Sequence, residues 1–463
     1  MSEAFDEDHY NVKLENGVNL GGCVELDFVE EIETVATEDA VKVLLQGLGE
    51  DINREGLLKT PIRVAKAFRE GTKGYKQKVK DIIDGSLFPE AGVESRIGHG
   101  GGAGGLVIVR DLDLFSYCES CLLPFQIKCH IGYVASGQRV LGLSKLSRVA
   151  EVFAKRLQDP QRLATDICGA LQHGMQPTGV AVVLQCSHIH FPNFESALSD
   201  PNHQGWEKIS VKSGSGVFDC EKAGIWTDFF GLLRFRGIID DDTRTASSND
   251  RYWCPYQTFS KKLGSDSTML DAAASILCSL GENPLREELI KTPSCYLKWL
   301  MNFKNSDLDL KLNGFVQSKR DTLTSDVDLS CNEKQSLCSE LNLSLWSLCE
   351  HHLLPFHGMV HIGYYGSNGA KPIGKSILQS IVHFYGFKLQ VQERLTRQIA
   401  EMVSSFLSED VMVVVEASHT CMISRGIEKF GSNTVTIAVL GRFSTDPTAR
   451  ENFLQIIPNF TSC

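Results

Sequence analysis

Apolar residues recur at helical intervals in EDAVKVLLQGLGE, from Glu38 to Glu50, and again from Thr60 to Arg69. Thr60 precedes Pro61 and Thr292 precedes Pro293, and each pair predicts a helix start capped by the threonine. LVIVRDLDLFSYC from Leu106 and the stretch around HIGYV from His130 alternate as strands do. The segment from Ile381 to Leu407 predicts one helix, a break and a second helix. VMVVVEASHTCMIS from Val411 is β-branched and alternating, which predicts a strand. Strands and helices do not alternate as βαβ units. The pattern predicts an α+β fold with antiparallel sheets and helices on one face.

The pattern occurs twice. CESCLLPF starts at Cys118 and CEHHLLPF at Cys349, an offset of 231, and HIGY recurs at His130 and His361 with the same offset. Lys59-Thr60-Pro61 and Lys291-Thr292-Pro293 differ by 232. Near-constant spacing over such a span defines two homologous domains. GLLRF, ending at Phe235, pairs with VLGRF, ending at Phe443, at an offset of 208, which assigns copy one an enlarged surface loop from Ser196 to Gly216. The division is an extension over 1–34, a first domain over 35–240, a polar linker over 241–264 and a second domain over 265–463. HGGGAGG from His99 and the loop from Asn305 to Glu333 lack the Lys-Ser or Lys-Thr of a phosphate loop.

Charge narrows the partners. Lys plus Arg number 46 and Asp plus Glu 57, a net charge of −11, which argues against bulk nucleic-acid binding. An anionic ligand needs a local basic pocket against that field. The acidic N-terminus has neither signal-peptide nor transit-peptide character, and no run nears the ~20 apolar residues of a membrane span. The 15 cysteines read as thiols of a reducing compartment, some of them metal-bound, and the expected location is the cytoplasm.

Copy two carries a candidate metal set. In a helical turn Cys349 and His352 share a face, leaving His351 for proton transfer. On a strand His419 and Cys421 also share a face. Cys349, His352 and Cys421 with an open fourth position match a catalytic zinc; with His419 as fourth ligand they match a closed structural one. Unliganded buried cysteines are the plainer alternative.

CEHH at Cys349, VQERLT at Val391, SHTCMISRG at Ser418, GLSKLSR at Gly142 and KTPIRVAK at Lys59 together resemble GTP cyclohydrolase I, across about 35–240 and 265–463. The two-copy layout is similar to the plant form of that family, which serves folate synthesis. The resemblance implies two tandem tunnelling-fold (T-fold) domains, assembly into homo-oligomeric rings, and conversion of GTP and water to 7,8-dihydroneopterin triphosphate and formate. It implies zinc on Cys349, His352 and Cys421; acid-base roles for His419 and His351; Ser376 near the ribose and phosphates; Gln392 and Glu393 on guanine; and Arg425 with Lys298 on the triphosphate.

Measured against that pattern, each copy is incomplete. Copy one has Ser120 and Cys121 for the two histidines, Pro160-Gln161 for the guanine readers, and His188-Ile189-His190 with Phe194 at the arginine position. It keeps Ser144, Lys145, Arg148, Arg63 and Lys66, which match triphosphate-binding positions. Copy two has Ile377, Ser380 and Cys295 where those basic residues belong, with Lys375 shifted by two positions. The complementary losses predict one composite site. Alternatives are a purely structural copy one, or a second zinc on Cys118, Cys121 and His190. Competing functions are a non-catalytic GTP- or pterin-binding scaffold, and a pterin synthase or nitrile reductase of the same fold. The ring of ten domains takes five chains; a dimer is the other arrangement considered.

Overall fold

The computed structural model describes residues 24–89, 105–136, 139–192, 205–220, 223–235, 237, 253–256, 266–304, 336–366, 374–406, 409–427 and 432–458. The loop from Asn305 to Glu333 lies outside these residues, as does the Gly-rich segment from His99 apart from Gly105, which borders β2.

Copy one comprises α1 (Val24–Gly47), α2 (Thr60–Gly71), α3 (Val79–Ile83), β1 (Leu87–Pro89), β2 (Leu106–Cys118), β3 (Pro124–Val134), β4 (Arg139–Leu141), α4 (Leu143–Ala154), β5 (Leu157–Gln158), α5 (Pro160–Met175), β6 (Gly179–Ile189), β7 (Trp206–Gly216) and α6 (Gly224–Arg234). Copy two repeats the plan with α7 (Ser267–Ser279), α8 (Thr292–Leu300), β8 (Ser336–Cys349), β9 (Pro355–Gly366), α9 (Lys375–Gly386), β10 (Leu389–Gln390), α10 (Gln392–Phe406), β11 (Val411–His419), α11 (Thr420–Ile423), β12 (Thr434–Val439), α12 (Arg442–Thr445) and α13 (Pro447–Leu454). Among the described residues no helix is long and apolar enough to cross a membrane.

Each copy has a five-stranded sheet, ordered β5-β2-β3-β6-β7 and β10-β8-β9-β11-β12. The long strands pair antiparallel as expected, while the two-residue edge strands β5 and β10 run parallel to their neighbours. Strand alternation explains the layers. Val180, Val182 and Leu184 of β6 join the main core, and Ala181 and Val183 point the other way onto Phe229 of α6. Thus α4 and α5 cover one face, and a short C-terminal helix covers part of the other. In copy two α12 and α13 do this through Phe443 and Phe453.

The HIGY repeat has a structural explanation. The β2–β3 register shifts between Val109 and Leu112, where Asp111 takes φ 62°, and its N–H donates to His130 Nδ1 at 3.0 Å. In copy two Asn342 takes φ 56° and donates to His361 Nδ1 at 3.3 Å. Each histidine satisfies a bulge amide that the ladder has released.

Two expectations are corrected. The loop assigned to 196–216 ends in β7, which pairs with β6 along its length. The register Cys186↔Ile209 matches Ala417↔Thr434, so the offset here is 434 − 209 = 225, not 208. Phe218 of copy one, 1% exposed, is the counterpart of buried Phe443, whereas Phe235 of GLLRF is 79% exposed. The threonines are not helix caps either. Thr60 and Thr292 sit inside α2 and α8, and their hydroxyls leave the helix altogether.

They go to the other copy. Thr60 Oγ1 donates to Glu350 O at 2.7 Å, and Thr292 Oγ1 donates to Glu119 O at 2.6 Å. The N-terminal helices are therefore exchanged: α2 of copy one seats on the CEHH turn of copy two, and α8 of copy two seats on the CESC turn of copy one. Beside them α1 packs on α7, so closely that a Cβ at Gly47 would lie 2.2 Å from Met269 Sδ. The seam between the copies, expected to be a polar linker, places Cys254 and Tyr256 in the core.

Candidate metal centre

β8 ends at Cys349 and the chain reverses into β9. Backbone N–H groups of His352 (3.3 Å) and Leu353 (2.9 Å) close the reversal on Cys349 O, with Leu353 at φ 50°. β11 pairs with β9 and ends at His419, so the strand stops before Cys421, which stands on the single turn α11. The strand-face argument for His419 and Cys421 therefore fails, although the pair does converge. Ligand atoms of Cys349, His419 and Cys421 all lie within 4.8 Å of one another. His352 Nδ1 lies 3.9 Å from Cys349 Sγ, so it adjoins the group through that thiol.

This donor set fits a borderline-soft divalent ion. The Cys349 thiol is held far below its ordinary value, chiefly by a hydrogen bond from Cys421; burial opposes this, and His352, His419 and the His351 N–H reinforce it. Cys421 is pushed up as its partner, since one proton serves two sulfurs. A ready thiolate is what a metal ligand requires.

The cluster's neighbours are tightly held. Gln392, 2% exposed, donates from Nε2 to Val415 O (3.1 Å), Thr434 O (2.9 Å) and Thr436 Oγ1 (3.1 Å). Its Oε1 lies 2.8 Å from His419 Nε2, which must therefore carry the proton and leave Nδ1 as the ring's lone pair. His419 also stacks on Phe356 at 4.5 Å. Expected as a guanine reader, Gln392 spends its amide on His419 and the sheet. Glu393, next on α10, is exposed. His351 is partly exposed, with Nε2 3.9 Å from Glu350 Oε1. Arg425 Nε donates to Cys421 O at 2.7 Å, which keeps its guanidinium beside the cluster.

The basic residues divide between the two ends. Arg63 lies one turn beyond Thr60 and shares the face of α2 that seats on copy two, while Lys66, six residues beyond Thr60, lies about 120° round the helix and is exposed. Lys298, placed with Arg425 by resemblance, is carried away from copy two's cluster. It sits on α8 beside Cys295, and the next residue, Trp299, donates from Nε1 to Cys121 O of copy one at 2.9 Å. Ser144 and Arg148 are exposed and Lys145 half-buried on α4. Just past the end of α4, Lys155 Nζ donates to Ser424 O at 3.3 Å, so this helix reaches copy two's segment between Cys421 and Arg425. Ser376 is exposed at the start of α9.

Sequence reasoning missed Arg54 and the role of Thr60, which brace the CEHH turn from the other copy. The signal was present: Arg54 and Arg286 share the 232-residue offset of the threonines. It also missed Cys254, which lies with Cys118, Cys121 and His188 in a second group, while His190 faces Glu207 at 3.6 Å instead.

The site defines a class: a duplicated α+β chain with a thiol-imidazole cluster that could hold a metal ion where two strands end. A family model described as GTP cyclohydrolase I matches residues 37–191 and 269–458. A Solanum lycopersicum protein named GTP cyclohydrolase 1 is 65% identical across 98% of both chains. One of that name from Arabidopsis thaliana is 58% identical across 98% of this chain and 97% of its own. Another from Dictyostelium discoideum is 49% identical over 33% of this chain and 60% of its own. The chain belongs to the GTP cyclohydrolase I family, a family of enzymes, and its two copies are tandem T-fold domains.

Proposed function

We propose that the chain opens the guanine imidazole ring of GTP and rearranges the product, so that GTP and one water give 7,8-dihydroneopterin triphosphate and formate, the entry to pterin and folate synthesis. The observation that carries this reading is the copy-two cluster with α2 of copy one delivered onto its turn.

Cys349 and Cys421 with His352 would hold zinc. When bound, the ion supplies Lewis acidity and lowers the pKa of a coordinated water to about 7. His351, whose partly exposed ring supports this reading, passes a proton to or from the substrate. His419, fixed by Gln392, is the second proton carrier. Glu393 offers a carboxylate to the N1–H and N2–H edge of guanine. Arg425 and Ser376 of copy two, with Arg63 and Lys66 from α2, form the polyphosphate side; α4 brings Ser144, Lys145 and Arg148 from copy one. GTP carries about four negative charges, and each charge-assisted contact contributes about 1.5–3 kcal/mol.

A homo-oligomer is part of this reading. β7 and β12 are outer strands, and Val435 and Ile437 on β12 are 56% and 52% exposed, which favours edge pairing with another chain. His419's place within the cluster favours a second reading, a closed four-ligand centre in a non-catalytic scaffold. Incubating the whole chain with GTP and assaying formate and oxidised-pterin fluorescence separates the two. Turnover that is lost in both His352→Ala and Lys145→Ala supports the composite enzyme; no turnover by the zinc-loaded chain supports the scaffold.

A further inference from the structure

We propose that copy one holds a metal centre of its own on Cys118, Cys121, His188 and Cys254, closed by four protein ligands and structural in role. All four residues are buried, and their ligand atoms lie within 4.8 Å of one another. Cys118 and Cys121 stand where copy two has Cys349 and His352, and His188 stands where it has His419. Cys254 comes from the seam between the copies and has no counterpart in copy two.

The distances fit. A tetrahedral zinc with sulfur at ~2.3 Å and nitrogen at ~2.1 Å sets those ligand atoms ~3.6 Å apart. Cys121 Sγ and Cys254 Sγ lie 3.3 Å and 3.9 Å from His188 Nε2. His188 Nδ1 lies 2.7 Å from Ile189 O, so that nitrogen carries the proton and the Nε2 lone pair faces the sulfurs. This backbone contact is the outer-shell arrangement that fixes a ligating imidazole.

The surroundings argue for structure over catalysis. Trp253 lies edge-on to His188 at 5.0 Å and Tyr256 lies at 5.9 Å, so aromatic rings wall the site. Four ligands complete a tetrahedron and leave no place for water. Ser120 at the position of His351 and Pro160-Gln161 at those of Gln392-Glu393 then follow, because a closed centre has no substrate to serve. What the ion would do is fasten. It joins the end of β2, the end of β6 and the seam segment at one point. Phe191 N donates to Tyr256 OH at 3.1 Å, and Trp299 of copy two donates to the carbonyl of Cys121. The centre thereby fixes where copy two departs from copy one.

The test is metal stoichiometry on the full-length chain reconstituted with zinc or cobalt(II). Two ions per chain are expected. Cys254→Ser should retain the one bound by copy two, and Cys349→Ser the one bound by copy one, with the stronger thiolate-to-cobalt absorption of three sulfurs. Should Cys254→Ser not fold, zinc X-ray absorption of the unaltered chain decides: two centres with three and two thiolates average about 2.5 sulfurs per zinc, against about two for copy two alone. One ion per chain, lost in Cys349→Ser and kept in Cys254→Ser, overturns the proposal and leaves the GTP reading standing. A Cys121–Cys254 disulfide in the purified chain overturns it as well.

Discussion

Arg54 of copy one donates from Nη1 to Glu350 Oε2 of copy two at 2.9 Å, and Arg286 of copy two meets Glu119 of copy one at 3.3 Å. Each carboxylate also takes an arginine of its own copy, Arg394 at 2.6 Å or Arg162 at 2.5 Å. Glu350 lies between Cys349, a candidate ligand, and His351, so the pair ties the CEHH turn to the exchanged helices. Although burial works upward on Glu350, hydrogen bonds from Arg394 and Arg54 outweigh it and keep the carboxyl below its ordinary value.

Removing that carboxylate takes one partner from each of two arginines, Arg54 keeping Glu50 and Arg394 keeping Gln390 and the Leu389 carbonyl. Glu350→Ala should lose about 1.5–3 kcal/mol of stability, the range for lost hydrogen bonds to a charged group, and Glu350→Gln distinctly less. A folded carboxyl below its unfolded value stabilises above the ordinary carboxylate range, and this is lost as pH falls through the lowered value. Urea unfolding at pH 7 and pH 4 checks both claims. A Glu350→Ala chain within about 1 kcal/mol of the parent would show that the bridge is no brace.

Helix exchange predicts an asymmetry between two lysines that match one family position. The helix that bears Lys66 seats on copy two's turn, and the helix that bears Lys298 seats on copy one's. Lys66→Ala and Arg63→Ala should each lower kcat/KM for GTP by about 10- to 100-fold, mainly through KM, the worth of one charge-assisted contact. Lys298→Ala should stay near the parent value. Steady-state pterin fluorescence measures all three. Equal losses at Lys66 and Lys298 would refute the assignment of α2 to the working site.

How much of this was legible beforehand depended on sequence distance. The repeat, the long strands and the helix–break–helix over 381–407 follow from local periodicity and motif spacing, whereas the convergence of Cys349 with Cys421 was implied by the family resemblance and not by strand spacing. Helix exchange does not, because a pattern marks Thr60 as polar at a helix start without saying whose carbonyl it meets. Cys254 was hidden likewise: it lies 66 residues beyond His188 in a polar stretch, and only the fold sets the two side by side. The β7 error arose because Trp206–Gly216 is rich in Ser, Gly and Lys. An edge strand needs few apolar residues, and composition there resembles a loop.

Gln392 provides a third test. Its amide holds His419 through Oε1 and anchors to three acceptors through Nε2. Gln392→Leu keeps the bulk but frees the imidazole. If the residue positions His419, kcat should fall at least about tenfold with KM little changed. A rise in KM with kcat intact would instead make Gln392 a direct contact of the base, as the family resemblance implies.

The last prediction concerns acid. His383 on α9 is fully buried; Gln379 Nε2 lies 2.8 Å from its Nε2, and its Nδ1 has no partner among the described residues. Burial lowers its pKa to about 4, with a backbone contact at Ser344 acting weakly the other way. The unfolded chain takes up a proton near pH 6.5 and the folded chain resists until about 4. Stability is therefore complete above about 6.5 and declines as pH falls toward 4, by up to ~3 kcal/mol from this residue. His383→Leu costs stability at pH 7 by leaving one N–H of the Gln379 amide without its acceptor, the bonds to Ser344 being kept, yet it removes this titration. Its unfolding free energy should fall less steeply between pH 6.5 and pH 4.5 than that of the parent, which urea titrations at several pH values resolve. Parallel slopes in the two chains would mean that His383 is already protonated in the folded state, and that its buried ring is not held neutral.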